Sequence, residues 1–136
     1  MKVLVYGSGG RDHCLADTYA DSQHVDKVYF TPGNPGVNYT SKGKRGLIEL
    51  VKLTDFNQVA DFCVDKGIDL VDVGSENPLE EGLIDVLNER GIRTVGPKKA
   101  FSRLESDRAF TDDLLRKIGV PKPEYRVFDD PESAKE

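Results

Sequence analysis

Short apolar runs alternate with helical patterns along most of this chain, and no other feature constrains the fold as much. A short apolar run bounded by turn residues is typical of a buried strand, whereas apolar residues three and four positions apart are typical of a helix. Five runs predict strands: VLVY at 3–6, KVYFT at 27–31, GLIELVKL at 46–53, IDLVDVG at 68–74 and RGIRTVG at 90–96. Strands that alternate with helices form a parallel sheet covered by helices on both faces. The sequence therefore predicts an α/β fold.

The helical patterns lie between and after these strands. They cover about 11–20, the stretch from Phe56 to Gly67, one helix carrying Leu79, Leu83, Ile84 and Leu87, and two short helices at about 98–104 and 107–117. Thr54 or Asp55 can cap the second helix, and Gly67 is expected to end it. Near the end of the chain, YRVF at 125–128 predicts one more strand, followed by a capped helix start at Asp130.

A glycine-rich turn separates the first strand from the first helix. Residues 7–10 read Gly-Ser-Gly-Gly. Glycine has no Cβ, so the backbone N–H groups of such a turn can approach a ligand closely. The helix that follows has free N–H groups and a dipole that favour an anion. The turn therefore predicts an anion site.

Two common nucleotide-binding motifs do not fit this turn. The dinucleotide motif G-x-G-x-x-G has Asp12 at its third glycine position, and Phe30 and Thr31 stand where an acidic ribose ligand would be needed. The phosphate-binding pattern G-x-x-x-x-G-K-[ST] is absent. A nicotinamide or flavin dinucleotide is therefore disfavoured.

Arg11 suggests which ligand the turn holds. A cation in the first turn of a helix opposes the helix dipole, and a bound phosphate would compensate for it. The alternative is that Asp12 neutralises Arg11 and that the glycines only form a tight turn.

Two further loops are expected at the same edge of the sheet, because open α/β folds bind ligands at the carboxyl ends of their strands. PGNPG follows the second strand, and GSENPLEEG follows the fourth. Glu76 and Asn77 could receive an amine or sugar hydroxyls from a ligand whose phosphate lies on residues 7–10. The alternative is that Ser75 to Pro78 only cap a helix.

Composition limits the class of partner. The formal net charge of −5 argues against a general nucleic-acid binder, so the basic cluster Lys42, Lys44 and Arg45 is interpreted as a solvated loop. Cys14 and Cys63 are expected to be small core residues rather than a disulfide pair. No signal peptide or membrane-spanning apolar run is present, so the expected compartment is the cytoplasm and no membrane partner is predicted.

Four motifs resemble, in order and spacing, the opening part of the phosphoribosylamine–glycine ligase family, also called glycinamide ribonucleotide synthetase. They are MKVLVYGSGGRDHCLA, KVYFTPGNPG, DLVDVGSENPLEEGLID and VGPKKAFSRLESDRAFTDDLLRKIGVPKPEYRVF. This family uses ATP to join glycine to 5-phosphoribosylamine in purine biosynthesis. The resemblance implies a Rossmann-like domain at 1–97, a helical linker at 98–122 and the start of an ATP-grasp subdomain at 123–136.

The resemblance also implies functional residues. Residues Gly7 to Arg11 would cradle the 5′-phosphate of phosphoribosylamine, with Asn34 and Glu76 in the same crevice. The predicted substrate-binding set is Gly7, Ser8, Gly9, Gly10, Arg11, Asn34, Gly74, Ser75, Glu76 and Asn77. Arg108 stands where the family often has a lysine near its ATP-binding part, which implies a nucleotide contact.

The family's reaction activates glycine's carboxylate as an acyl phosphate, which the amine then attacks. ATP and magnesium are therefore expected for the complete enzyme, although neither is expected to bind tightly to this chain, which should be inactive alone. Its partner would be the ATP-grasp remainder of the ligase, in cis or in trans. No catalytic residue and no metal ligand are identified. Two alternatives are a free-standing sugar-phosphate-binding or regulatory module and, less favoured, a dinucleotide-dependent oxidoreductase.

Overall fold

A computed structural model describes residues 1–39 and 47–135. The basic cluster at 42–45 lies outside the described residues. Two compact units are present, Met1–Ser102 and Arg103–Glu136. Across residues 1–39 and 47–135, no helix is both long and apolar enough to span a membrane.

The first unit contains a parallel sheet, as the alternating pattern predicts. In the described chain it has five strands in the order β3-β2-β1-β4-β5. The strands are β1 (Lys2–Gly7), β2 (Lys27–Pro32), β3 (Ile48–Leu50), β4 (Leu70–Val73) and β5 (Thr94–Val95). β1 is central, since Val3 pairs with Val28 on one side and with Leu70 on the other. β3 and β5 are shorter than the runs that predict them, and both lie at the edges of the sheet, where a strand has only one neighbour.

Helices cover both faces of this sheet, which confirms the predicted fold class. Successive strand residues point to opposite faces, and β1 accordingly contributes Val3 and Val5 to one core cluster and Leu4 and Tyr6 to the other. The Val3 cluster packs against α1 (Gly10–Asp21), and the Leu4 cluster packs against α2 (Phe56–Lys66) and α4 (Leu83–Glu89). Both faces of the central strand are therefore buried.

The predicted ends of α2 are confirmed. The Asp55 carboxylate accepts a hydrogen bond of 2.9 Å from the Gln58 N–H, so Asp55 is the N-cap. Gly67 ends the helix in the left-handed conformation at φ 62°, which glycine adopts without strain.

The single helix predicted through Leu79 and Leu87 is wrong. The structure has two helices here, α3 (Glu76–Glu81) and α4 (Leu83–Glu89). Gly82 separates them at φ 99°, where a helix cannot continue. The apolar spacing is nearly continuous across this break, so the pattern alone does not reveal it.

The two cysteines differ in burial. Cys63 is buried, as predicted, but Cys14 is exposed, so its assignment to the core is wrong. Cys14 lies on the outer side of α1, whereas Ala16 and Ala20 point into the core.

The C-terminal part of the chain contains α5 (Lys99–Ser106) and α6 (Arg108–Lys117), close to the two predicted short helices.

The strand predicted at 125–128 does not form. An isolated segment cannot make the backbone hydrogen bonds of a strand, and Tyr125 is instead held by its side chain, whose hydroxyl donates to Asp113 at 2.8 Å. The helix start predicted at Asp130 is a short 3₁₀ turn, Ser133–Lys135, and the Asp130 carboxylate accepts the Ser133 N–H. The predicted domain bounds of 1–97, 98–122 and 123–136 stay predictions.

A buried polar contact joins α1 to the sheet. The Tyr19 hydroxyl donates a hydrogen bond of 2.8 Å to the carboxylate of Asp72, a β4 residue whose exposed fraction is 8%. Burial, the hydrogen bond to Asp72 and the Asp72 charge together raise the pKa of Tyr19 to about 12. The neutral phenol is therefore the form that the folded chain favours.

This contact predicts a pH dependence of stability. The Tyr19 pKa is raised on folding, so its stabilising contribution is complete below the ordinary pKa of 10 and is lost as pH rises towards 12. We expect Tyr19→Phe to lose less unfolding free energy than the wild type between these two pH values, as measured by urea denaturation. Equal losses in the two chains would contradict this role of Tyr19.

Candidate functional site

Three loops meet at the carboxyl edge of the sheet. They follow β1, β2 and β4, and they contain most of the predicted substrate-binding residues. Backbone hydrogen bonds join them: the Gly33 N–H donates to the Gly7 carbonyl at 3.0 Å, and the Gly74 N–H donates to the Tyr6 carbonyl at 3.3 Å. The sheet therefore brings together segments that are far apart in the sequence.

The Asp12 carboxylate lies at the centre of these loops. One of its oxygens, Oδ2, accepts hydrogen bonds from the Ser8 N–H at 2.9 Å, the Gly9 N–H at 2.8 Å and the Ser75 hydroxyl at 3.0 Å. Asp12 is only 3% exposed. It thus links the loop after β1 to the loop after β4.

Two glycines make room for this carboxylate. A Cβ on Gly7 would overlap the Asp12 carboxyl group, and a Cβ on Gly74 would overlap its Oδ1 atom. A Cβ on Gly9 would lie 3.4 Å from Asp12, and one on Gly10 would meet nothing within 4 Å. Among these four glycines, the strict requirement is therefore at Gly7, at the end of β1, and at Gly74, directly after β4.

Asp12 does not pair with Arg11, so the alternative in which it neutralises Arg11 is wrong. The Arg11 guanidinium instead donates to the Glu76 carboxylate at 3.1 Å. Their side chains are 72% and 43% exposed. The Glu76 backbone N–H and then Arg11 hold the pKa of Glu76 below its ordinary value, so the carboxylate is charged near neutral pH. A cation and an anion thus lie side by side and open to solvent.

The backbone N–H groups just before and at the start of α1 have different partners. Asp12 occupies those of Ser8 and Gly9, and the His13 N–H begins the helical ladder by donating to the Gly9 carbonyl at 3.1 Å. The N–H groups of Gly10, Arg11 and Asp12 lie between them, in the first turn, where a helix supplies no acceptor of its own. Free amides at the start of a helix are suited to an anion.

Asn34 fastens the loop after β2 to the glycine turn. Its side-chain NH₂ donates to the carbonyls of Ser8 at 3.0 Å and Gly9 at 3.4 Å, and its Oδ1 accepts from the Gly36 N–H at 2.8 Å. Asn34 therefore lies beside the predicted crevice, but its amide is engaged in holding the loops.

The loop after β4 is only partly explained by helix capping. Ser75 has the N-cap position of α3, yet its side chain makes no cap hydrogen bond and donates to Asp12 instead. Asn77 is exposed in the first turn of α3. Of the predicted pair, Glu76 pairs with Arg11, at the start of α1, whereas no described hydrogen bond or ion pair joins Asn77 to the first loop.

Arg108 is the first residue of α6 and is exposed in the second unit. Its predicted nucleotide contact stays a prediction. Within residues 1–39 and 47–135, no group of three or more His, Cys, Asp or Glu side chains is arranged to hold a metal ion.

Sequence reasoning missed the role of Asp12, which it treated as an obstacle to a dinucleotide or as a partner for Arg11. A signal was present in the sequence. An acidic residue three positions after a helix N-cap can accept hydrogen bonds from the backbone before it. Gly7 directly follows the first predicted strand, and Gly74 ends the fourth.

Comparisons with known proteins give consistent results. The family model described as phosphoribosylglycinamide synthetase, N domain, matches residues 1–105. The phosphoribosylamine–glycine ligase of Mesorhizobium japonicum is 46% identical over 99% of this chain and 31% of its own length. The phosphoribosylamine–glycine ligase of Archaeoglobus fulgidus is 40% identical over 100% of this chain and 30% of its own length. The trifunctional purine biosynthetic protein adenosine-3 of Gallus gallus is 40% identical over 98% of this chain and 13% of its own length.

The chain thus spans less than a third of the length of these relatives. Among solved structures, the biotin carboxylase domain of the Hydrogenobacter thermophilus 2-oxoglutarate carboxylase, in complex with MgADP, ADP and bicarbonate, superposes with a TM-score of 0.62 at 18% identity. The superposition covers 98% of this chain and 31% of that one. The biotin carboxylase subunit of pyruvate carboxylase gives a TM-score of 0.60, also at 18% identity, and both likenesses concern the fold.

Proposed function

Because this chain belongs to the phosphoribosylglycinamide synthetase N-domain family, we propose that it binds 5-phosphoribosylamine within a ligase that joins glycine to this amine at the expense of ATP. One observation carries the proposal. The loops after β1, β2 and β4 meet at one sheet edge, with Arg11 and Glu76 3.1 Å apart and open to solvent. This charge pair matches a ligand that carries a phosphate and an amine.

In this proposal the first turn of α1 receives the phosphate. The N–H groups of Gly10 and Arg11 lie at the positive end of the helix dipole, and the Arg11 guanidinium adds a full charge. Charge-assisted hydrogen bonds of this kind are short and strong. The helix end and one flexible cation thus supply the anion site.

Glu76 receives the amine or the ribose hydroxyls in the same proposal. Without ligand, Arg11 and Glu76 neutralise each other, and an exposed ion pair of this kind contributes little to stability. Separating them therefore costs little. The phosphate then pairs with Arg11, and the amine end of the ligand pairs with Glu76.

ATP and magnesium are assigned to the complete ligase. The described residues offer no group of metal-ligating side chains, and the only nucleotide contact proposed in this chain is Arg108. We expect the remaining ATP-grasp part, in cis or in trans, to hold both. We also assign the protein to the cytoplasm, where its free Cys14 and Cys63 would stay reduced.

We expect Arg11→Ala to weaken binding of ribose 5-phosphate, a stable substitute for the amine, by about tenfold or more. A hydrogen bond to a charged group contributes roughly 1.5–3 kcal/mol, and roughly 1.4 kcal/mol corresponds to one decade in affinity. Arg108→Ala is the matched control. It removes an exposed arginine from the second unit and should leave the affinity unchanged, as measured by calorimetric titration.

Glu76→Gln tests the other half of the charge pair. Ribose 5-phosphate has no amine, so removing the Glu76 charge should free Arg11 and leave the affinity unchanged or tighter. Equal losses in Arg11→Ala and Arg108→Ala, or a loss only in Arg108→Ala, would move the anion site away from the first loop and refute the proposal.

A further inference from the structure

We infer that Asp12 is a positioning residue of this site, which holds the glycine turn and the loop after β4 in the geometry that receives the sugar phosphate. The inference rests on the proposed function. It assigns a role to a buried carboxylate that touches no ligand in that proposal and that acts through the loops around it.

The geometry of the carboxylate carries the inference. A single oxygen of Asp12 accepts the N–H groups of Ser8 and Gly9 and the hydroxyl of Ser75, all within 3.0 Å. These donors belong to two loops that are more than sixty residues apart in the sequence. At 3% exposure the carboxylate has little access to water, so these three donors replace the hydrogen bonds that water would otherwise make to it. Asp12 therefore fixes both loops at once.

Asp12 also selects which amides can bind an anion. It occupies the N–H groups of Ser8 and Gly9, so these two amides of the glycine turn are already engaged. The amides of Gly10 and Arg11 follow at once in the chain. Asp12 thus directs an anion to the end of α1 and away from the middle of the turn.

The direction in which the affinity changes when Asp12 is removed distinguishes a positioning role from a purely electrostatic one. A carboxylate near a bound phosphate repels it, so removing the carboxylate should strengthen binding if only charge mattered. Removing a residue that keeps the loops ordered should weaken binding, because the loops must then be ordered when the ligand binds. The inference requires the second result.

The test compares the wild-type chain with Asp12→Ala and Asp12→Asn, using two measurements. In Asp12→Ala we expect amide hydrogen exchange at Ser8 and Gly9 to become at least about tenfold faster. The affinity for ribose 5-phosphate should fall by about a hundredfold, because both residues must then be ordered on binding. Asp12→Asn keeps an acceptor oxygen but loses the charge, so both effects should be smaller. Ser75→Ala removes one of the three donors and gives a milder variant in case Asp12→Ala does not fold; its affinity should fall by about threefold.

Asp72→Asn is the matched control. It neutralises the second buried carboxylate among the described residues, which accepts a hydrogen bond from Tyr19 and, within the described chain, makes none with either loop. It should lower stability without changing the affinity or the exchange of Ser8 and Gly9. An unchanged or tighter affinity in Asp12→Ala, or unchanged exchange at Ser8 and Gly9, overturns the inference about Asp12. Failure of the wild-type chain to bind ribose 5-phosphate overturns the proposed function instead. In that case the hydrogen-exchange measurement still tests whether Asp12 keeps the amides of Ser8 and Gly9 ordered.

Discussion

A chain carrying Gly7→Ala is expected to bind ribose 5-phosphate about a hundredfold more weakly than the wild type. The new methyl group would overlap the Asp12 carboxyl group, which is tied to Ser8, Gly9 and Ser75. Either Asp12 must leave its place or the end of β1 must shift. Ordering the backbone of one residue costs about 1–2 kcal/mol, so ordering Ser8 and Gly9 again on binding would cost about 2–4 kcal/mol, which is of the order of a hundredfold in affinity.

The same substitution should lower the unfolding free energy by about 1–3 kcal/mol, which is typical of an added group in a filled space. Calorimetric titration measures the affinity and urea denaturation the stability. Val59→Ala is the control for stability, because Val59 is fully buried in α2, in the core cluster on the other face of the sheet from α1. It should destabilise the chain and leave the affinity unchanged.

A double variant identifies the clash. Every atom that a Cβ on Gly7 would meet most closely belongs to Asp12. Gly7→Ala combined with Asp12→Ala should therefore be no less stable than Gly7→Ala alone, although Asp12→Ala by itself is expected to destabilise the chain by removing three hydrogen bonds. Fully additive losses would show that the alanine at position 7 collides with something other than Asp12.

Phe30→Ala should cause the largest loss of stability, about 3–5 kcal/mol. Phe30 lies in β2, is fully buried and belongs to the cluster that also contains Val5 and the α1 residue Ala16. Its ring also stacks with the ring of His13 at a centroid distance of 6.1 Å. Because domains of this kind are stable by only about 5–15 kcal/mol, such a loss would leave part of the chain unfolded at room temperature.

Phe101→Ala is the control for this prediction. The Phe101 side chain is 62% exposed, so its removal should change the unfolding free energy by no more than about 0.5 kcal/mol. Both variants are compared by urea denaturation. A loss below about 1 kcal/mol in Phe30→Ala would mean that β2 and α1 do not pack as the structure describes.

The sequence predicts the fold well where the chemistry of a residue determines the local backbone structure. Gly67 ends α2 because glycine adopts positive φ, and Asp55 begins α2 because its carboxylate accepts a free N–H group. The apolar runs at 3–6 and 27–31 become the central strands β1 and β2, because strands buried on both faces need apolar side chains throughout. The family resemblance, carried by ordered motifs, is confirmed by the similarity to phosphoribosylamine–glycine ligases.

The predictions fail where a segment's structure depends on what surrounds it. YRVF at 125–128 has the composition of a strand but pairs with no strand in the described chain. Leu79 and Leu83 fit one helical stripe, but Gly82 adopts φ 99° between them and turns the chain. Cys14 has a residue type that is usually buried, yet its position on α1 faces solvent.

For the candidate site, the sequence by itself determined which segments carry the features for which we propose an anion site. Glycines after a strand and a cation at a helix start are local features, and local features determine local chemistry. Only the tertiary structure decided how those segments act together, because parallel strand order brings residues 8, 34 and 75 to one edge. Asp12 accepts the amides of the turn and Arg11 pairs with Glu76 because a hydrogen bond or an ion pair depends on distance in space, which the order of residues along the chain does not specify.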